Sequence, residues 1–167
     1  MKNALLIIWL STTLTLTAQN TTIKSAEITF EFVSKGVDGT IAGFTSASTI
    51  DFDNLENTVL KGSVAVETLD TNNGLRYWSL KGRKYFNEDS YPKIYFESTA
   101  IIQEAETYKV KGTLTLKGTK KPLTITFTKN GNTLIGKASL YTSDFGINIK
   151  KKREDNLVKV TFRFVLT

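Results

Sequence analysis

The chain of 167 residues contains no cysteine and no histidine. Without cysteine there is no disulfide, no thiolate nucleophile and no thiol to lipidate; without histidine there is no imidazole base and none of the usual zinc sites. Most hydrolytic constellations are thereby excluded. Ser79, Ser90 and Ser143 lie outside any Gly-x-Ser-x-Gly elbow, and Asp51 and Asp53, two apart at a strand end, read as a solvated turn before a calcium or acid–base pair. The residues therefore describe a binding protein, not an enzyme, with no metal and no cofactor. Long apolar runs are lacking too, except at the start, where Met1-Lys2-Asn3 leads into an apolar run over residues 4–10 that trails through Ser and Thr to Ala18. That run is short for a membrane span, and with its charged start and small Ala18 it reads as a secretory signal peptide over residues 1–18. A single domain over 19–167, periplasmic or secreted, is expected. The net charge of +6 favours anionic partners such as lipid headgroups, and export argues against nucleic acid.

What the chain has in abundance is alternation. Ile28, Phe30 and Phe32 alternate with Glu27, Thr29 and Glu31; Ile50 and Phe52 end a second segment; Leu60, Val64 and Val66 mark a third. Ile94 and Phe96 follow, then Tyr108, Val110, Leu114 and Leu116, then Leu123, Ile125 and Phe127, then Leu134, Ala138 and Leu140, and last Val158, Val160, Phe162, Phe164 and Leu166. The period predicts an all-β domain of about eight antiparallel strands joined by hairpins, with a type I′ turn at Asn130-Gly131. Closure into a barrel would remove the exposed edges, and the final strand is placed to pair back with an earlier one. Lys, Thr and Glu on the outer face exclude an outer-membrane barrel, whose outside is apolar. The segment Asn73-Gly74-Leu75-Arg76-Tyr77-Trp78-Ser79-Leu80 breaks the rhythm and predicts a short helix capped by Asn73, within a helical stretch near residues 73–86.

The inward face would carry Phe30, Phe32, Phe44, Ile94, Phe96, Leu114, Leu116, Ile125, Phe127, Phe162 and Phe164. A small eight-stranded barrel either fills with its own side chains or holds one ligand, and the pattern suits both. An occupant would be apolar and elongated, because few inward positions can hydrogen-bond. Around the helix, Arg76 is either a clamp for a headgroup oxygen or a salt bridge pinning the helix, and Tyr77 and Trp78 are either a lid or helix-to-barrel packing. The basic hairpin at residues 150–153 suits transient contact with an anionic membrane, or is a solvated turn.

In order along the chain, Phe30-Glu31-Phe32-Val33-Ser34-Lys35-Gly36-Val37, Gly43-Phe44, Leu69-Asp70-Thr71-Asn72-Asn73-Gly74-Leu75-Arg76, Tyr85-Phe86, Tyr91-Pro92-Lys93-Ile94-Tyr95-Phe96-Glu97-Ser98, the run over residues 108–123 with Lys111-Gly112-Thr113-Leu114 at its centre, and Asp144-Phe145-Gly146-Ile147 resemble the YceI family. The resemblance implies a secreted, lipocalin-like antiparallel barrel that binds polyisoprenoid lipid or isoprenoid quinone in a central tunnel, with Arg76 at the helix beside it. Where that family usually has an acid after the arginine, and often a histidine near the end of the first strand, this chain has Tyr77 and Ser34 or Lys35. A side-chain-filled structural or stress-associated barrel is the alternative.

Overall fold

The computed structural model describes residues 21–167, apart from the side chain of Tyr77; the expected leader over 1–18 lies outside them. Strand β1 (Ile23–Phe32) shows how the alternation is used. Ile28, Phe30 and Phe32 stand opposite Ile41, Gly39 and Val37 of β2 (Val37–Ile41) on one side, and opposite Phe162, Val160 and Val158 of β9 (Leu157–Leu166) on the other. All of these side chains face one interior, and the intervening Thr and charged residues face out. Short β3 (Thr45–Ser46) and β4 (Lys61–Ala65) precede helix α1 (Gly74–Lys81). The long hairpins β5 (Lys93–Glu104), β6 (Thr107–Leu116), β7 (Thr119–Asn130) and β8 (Thr133–Tyr141) then build the opposite wall.

The nine strands form one antiparallel sheet in the order β2-β1-β9-β8-β7-β6-β5-β4-β3, so the terminal strand does pair back with the first. A bulge between Ser98 and Ala100 bends β5. The sheet curls until β2 meets the end of β4 and the segment that follows it at a seam. There Thr40 and Asp70 exchange two backbone bonds of 2.8 and 2.9 Å, Ala65 N–H donates to Ala42 O at 3.1 Å, and Ala42 N–H donates to the Thr68 hydroxyl at 2.8 Å. Thr21 and Ile50 exchange two more bonds beyond it.

Two strand expectations change. The second expected segment, ending at Ile50 and Phe52, is no strand but a set of isolated bridges, Thr21 to Ile50 and Thr49 to Val59. Side chains have taken over its ladder there: Ser48 Oγ both donates to Lys61 O and accepts from Lys61 N–H, and Thr58 Oγ1 does the same with the Asp51 backbone. The strand in its stead is β2, whose Val-Asp-Gly-Thr-Ile carries no apolar side chain at its middle inward position. The turn at β7–β8 also differs, since Asn130 ends the strand opposite Thr133 and only Gly131 of the two loop residues has positive φ, 58°. That is the II′ pattern; the I′ pattern, with both residues positive, occurs at Lys117 (49°) and Gly118 (73°).

Candidate functional site

Inward strand positions and the segment 74–86 together enclose a cavity of about 360 Å³, within the size range of small-molecule pockets. Phe30 and Phe32 of β1 line it, with Phe44 from the β2–β3 connection. Ile94 and Phe96 of β5 and Leu114 and Leu116 of β6 form the facing wall, and Ile125 and Phe127 of β7 with Phe162 and Phe164 of β9 complete it. Phe164 is the centre of an aromatic group, 5.3 Å from Phe44, 5.7 Å from Phe127 and 5.9 Å from Phe162 between ring centroids.

Glycines make room for these rings. Gly39 lies under the Phe30 ring, Gly112 under Phe96 and Gly136 under Phe127, each so close that an added Cβ would overlap the ring. An aromatic side chain that can lie across a neighbouring strand's bare backbone hugs the wall and leaves the middle of the bore free.

The interior is both filled and open. Toward the β7–β8 turn, Ile50, Phe52, Tyr108, Val110 and Leu134 pack to leave about 20 Å³, with the Phe52 and Tyr108 rings edge-on at 5.6 Å. Toward α1 the space is continuous and reaches Lys35, Arg76 and Ser79 at the mouth, and Ile23 and Ser48 along the seam. Thr71 and Thr142 border it, and their buried hydroxyl oxygens have no hydrogen-bond partner among the described residues. A lining of this kind suits an apolar chain, with charged contacts from Lys35 and Arg76 at the mouth.

Helix α1 is fixed at the mouth by its cap, the Asn73 side chain accepting the Arg76 N–H at 3.0 Å. With about 3.6 residues per turn, one helix face presents Arg76, Ser79 and Leu80 to the cavity. Leu75 and Trp78 fall on the other face and are 88% and 81% exposed. Trp78 therefore does not line the cavity, either as lid or as packing. The side chain of Tyr77 lies outside the described residues. Arg76 is exposed, and among the described residues no carboxylate lies within ion-pair distance of it, so the salt-bridge reading finds no partner.

Several residues at the mouth carry no signal in the two-residue period. Tyr85 and Phe86 turn back under α1, with Phe86 N–H donating to Leu80 O at 2.9 Å, and both line the cavity. Lys117 Nζ ties this turn to the next loop by donating to Lys84 O at 3.2 Å and Gly146 O at 3.4 Å. Their trace in the sequence is the Tyr85-Phe86 pair that the family resemblance includes, inside an irregular, basic stretch. Asn156, 1% exposed, accepts from the Ile149 and Lys150 N–H groups and donates to the Lys150 and Lys152 carbonyls, which holds the basic hairpin in shape.

In that hairpin Arg153 is engaged. It donates to both Asp144 carboxylate oxygens, at 2.7 and 2.6 Å, and covers the Tyr141 ring at 3.8 Å. The Arg153 hydrogen bonds hold the Asp144 carboxyl below its ordinary value. A depressed carboxyl stabilises the fold above its unfolded pKa of about 3.9 and loses that contribution as pH falls through the lower folded value. The pair is exposed, so the expected effect is small. Asp144→Asn should lower the melting temperature slightly at neutral pH, and the difference should shrink as the pH falls through the folded value, as calorimetry across an acid pH series would show.

A family model described as the YceI-like domain matches residues 14–166. The UPF0312 protein plu2095 of Photorhabdus laumondii is 36% identical over 85 residues, 51% of this chain and 44% of that protein. A UPF0312 protein of Yersinia pestis is 31% identical over 87 residues, 52% and 45% of the two chains. The matched part thus spans somewhat under half the length of these curated relatives. Among solved structures, BcnA of Burkholderia cenocepacia has the same fold with a TM-score of 0.73 at 19% identity, over 85% of this chain and 96% of that one. A polyisoprenoid binding domain from Saccharophagus degradans, implicated in plant cell wall breakdown, has a TM-score of 0.57 at 11% identity over 89% and 97%.

Proposed function

From the premise that the chain belongs to the YceI-like family, we propose that its barrel holds the hydrocarbon chain of an isoprenoid lipid or quinone and acts as a periplasmic or secreted carrier or buffer. One observation carries the reading: the cavity of about 360 Å³ is walled predominantly by apolar side chains, with Lys35, Arg76 and Ser79 at its mouth. A mostly apolar interior gains from every buried methylene and offers little to a polar guest. Binding rather than turnover is the role, since the rim supplies a guanidinium, an ammonium and a serine but no base to activate a nucleophile. Organic-solvent extraction of protein purified from its native envelope, followed by mass spectrometry, tests the reading. Stoichiometric isoprenoid supports it; an empty extract from protein that also takes up no added polyprenol sinks it in favour of a barrel that acts through its surface.

Arg76 then has a role at the headgroup. Unpaired among the described residues and facing the mouth, its guanidinium can donate charge-assisted hydrogen bonds to a phosphate or carbonyl oxygen. Arg76→Ala is expected to weaken binding of a polyprenyl phosphate by roughly tenfold and leave the matching hydrocarbon unaffected, measured by titration with a fluorescent competitor. Equal losses for both, with a lower melting temperature, would make Arg76 a structural residue.

A further inference from the structure

Single exposed apolar residues are ordinary on a protein surface. Leu75 and Trp78 differ in being three apart on one helix face, nearly fully exposed, on the very helix whose other face lines the cavity. The charge around them is also one-sided. The segments that surround this mouth, 33–36, 66–93, 117–121 and 142–156, hold thirteen Lys and Arg against seven Asp and Glu. Those at the filled end, 21–24, 50–59, 103–109 and 129–133, hold three against five. The molecule is electrostatically polarised along its bore, positive where it opens.

We infer that the mouth end docks on a bilayer surface rich in anionic phospholipid, with Leu75 and Trp78 seated among the headgroups and the mouth cations around them. An indole and a leucyl side chain are the groups that settle at the boundary between acyl chains and headgroups, and a basic rim adds attraction to an anionic leaflet within a Debye length. The opposite end, net negative, is repelled by the same surface, so the docked orientation presents the opening to the lipid. The inference deepens the lipid-carrier reading by naming the surface with which cargo is exchanged, but the docking itself needs no cargo.

The test uses the full chain carrying Trp9→Phe, which leaves Trp78 as its only tryptophan. With vesicles of phosphatidylglycerol and phosphatidylethanolamine, Trp78 emission should shift to the blue and the protein should float with the vesicles. Binding should fall at least about tenfold with pure phosphatidylcholine, and likewise when salt is raised from about 0.05 to about 0.5 M. Leu75→Ser/Trp78→Ser should lose at least about tenfold in flotation, while any contribution from the apolar run 4–10 is common to all variants. Flotation equal in the double variant, or a Trp78 emission that stays unshifted, overturns the inference. Uptake of a polyprenol measured without vesicles separates the two ideas: loading with no docking refutes the docking face alone, and docking with no loading refutes the carrier reading alone.

Discussion

Held at about a hundredfold over its dissociation constant, a long polyprenol should raise the melting temperature of the delipidated protein by about 5–10 °C, whereas a single-unit prenyl alcohol should move it by less than about 1 °C. The contrast follows from the shape and lining of the cavity. Each isoprene unit taken from water into the bore contributes on the order of 3 kcal/mol. The cost of confining the molecule is incurred mostly once, on association. One unit barely offsets that cost, and several exceed it. Differential scanning calorimetry with alcohols of increasing length would show the shift growing until the space between the filled layer and the mouth is occupied, then levelling. Equal shifts for all lengths, or none, would mean that side chains close the bore in solution.

Gly136→Val should destabilise the fold by about 2–3 kcal/mol, a fall of roughly 5–10 °C in melting temperature. On most strand positions a Gly-to-Val change is favourable, because a β-branched residue loses less freedom on folding. Here the sign reverses. Gly136 stands opposite Phe127 on β7 and Phe162 on β9, and the Phe127 ring, 2% exposed, occupies the place a side chain would take. That ring is backed by Phe162 and Phe164, so it has nowhere to retreat except into the bore. Combining Gly136→Val with Phe127→Leu should restore part of the loss, with a coupling of about 0.5–3 kcal/mol in a double-mutant cycle. Simple additivity of the two changes would show that the ring and the glycine are not in each other's way.

The alternating aromatics on β1, β5, β6, β7 and β9 were legible because a half-buried strand writes its inward face into every second residue, and the helix was legible from Asn73 and the break in that period. Strand β2 was not, because Gly39 yields its inward place to a ring from β1 and leaves no apolar mark of its own. Trp78 was misplaced for a different reason. An eight-residue helix with apolar groups at 75, 77, 78 and 80 has no single apolar face, so its rotation is set by what it packs on. Asn156, Tyr85 and Phe86 act in irregular backbone, where no period exists to read. The openness of the bore was beyond the pattern altogether. It is the small difference between the volume of a ring of side chains and the circumference of the wall that carries them, and three glycines shift that difference toward space.

The seam makes the wall unequal. Parting β6 from β7 means breaking an unbroken register from Thr107 opposite Thr128 to Leu116 opposite Thr119, whereas the bonds described across the seam and just beyond it are the Thr40–Asp70 pair, the two bonds at Ala42 and the Thr21–Ile50 pair. Local opening takes the less expensive route, so the wall parts more readily along this slit than between β6 and β7. For the apolar guest proposed above, such a slit would be a side entrance in addition to the end: the guest could be laid into the trough like a cord into a slotted pipe, its exchange then following how often the slit gapes rather than how long the cord is.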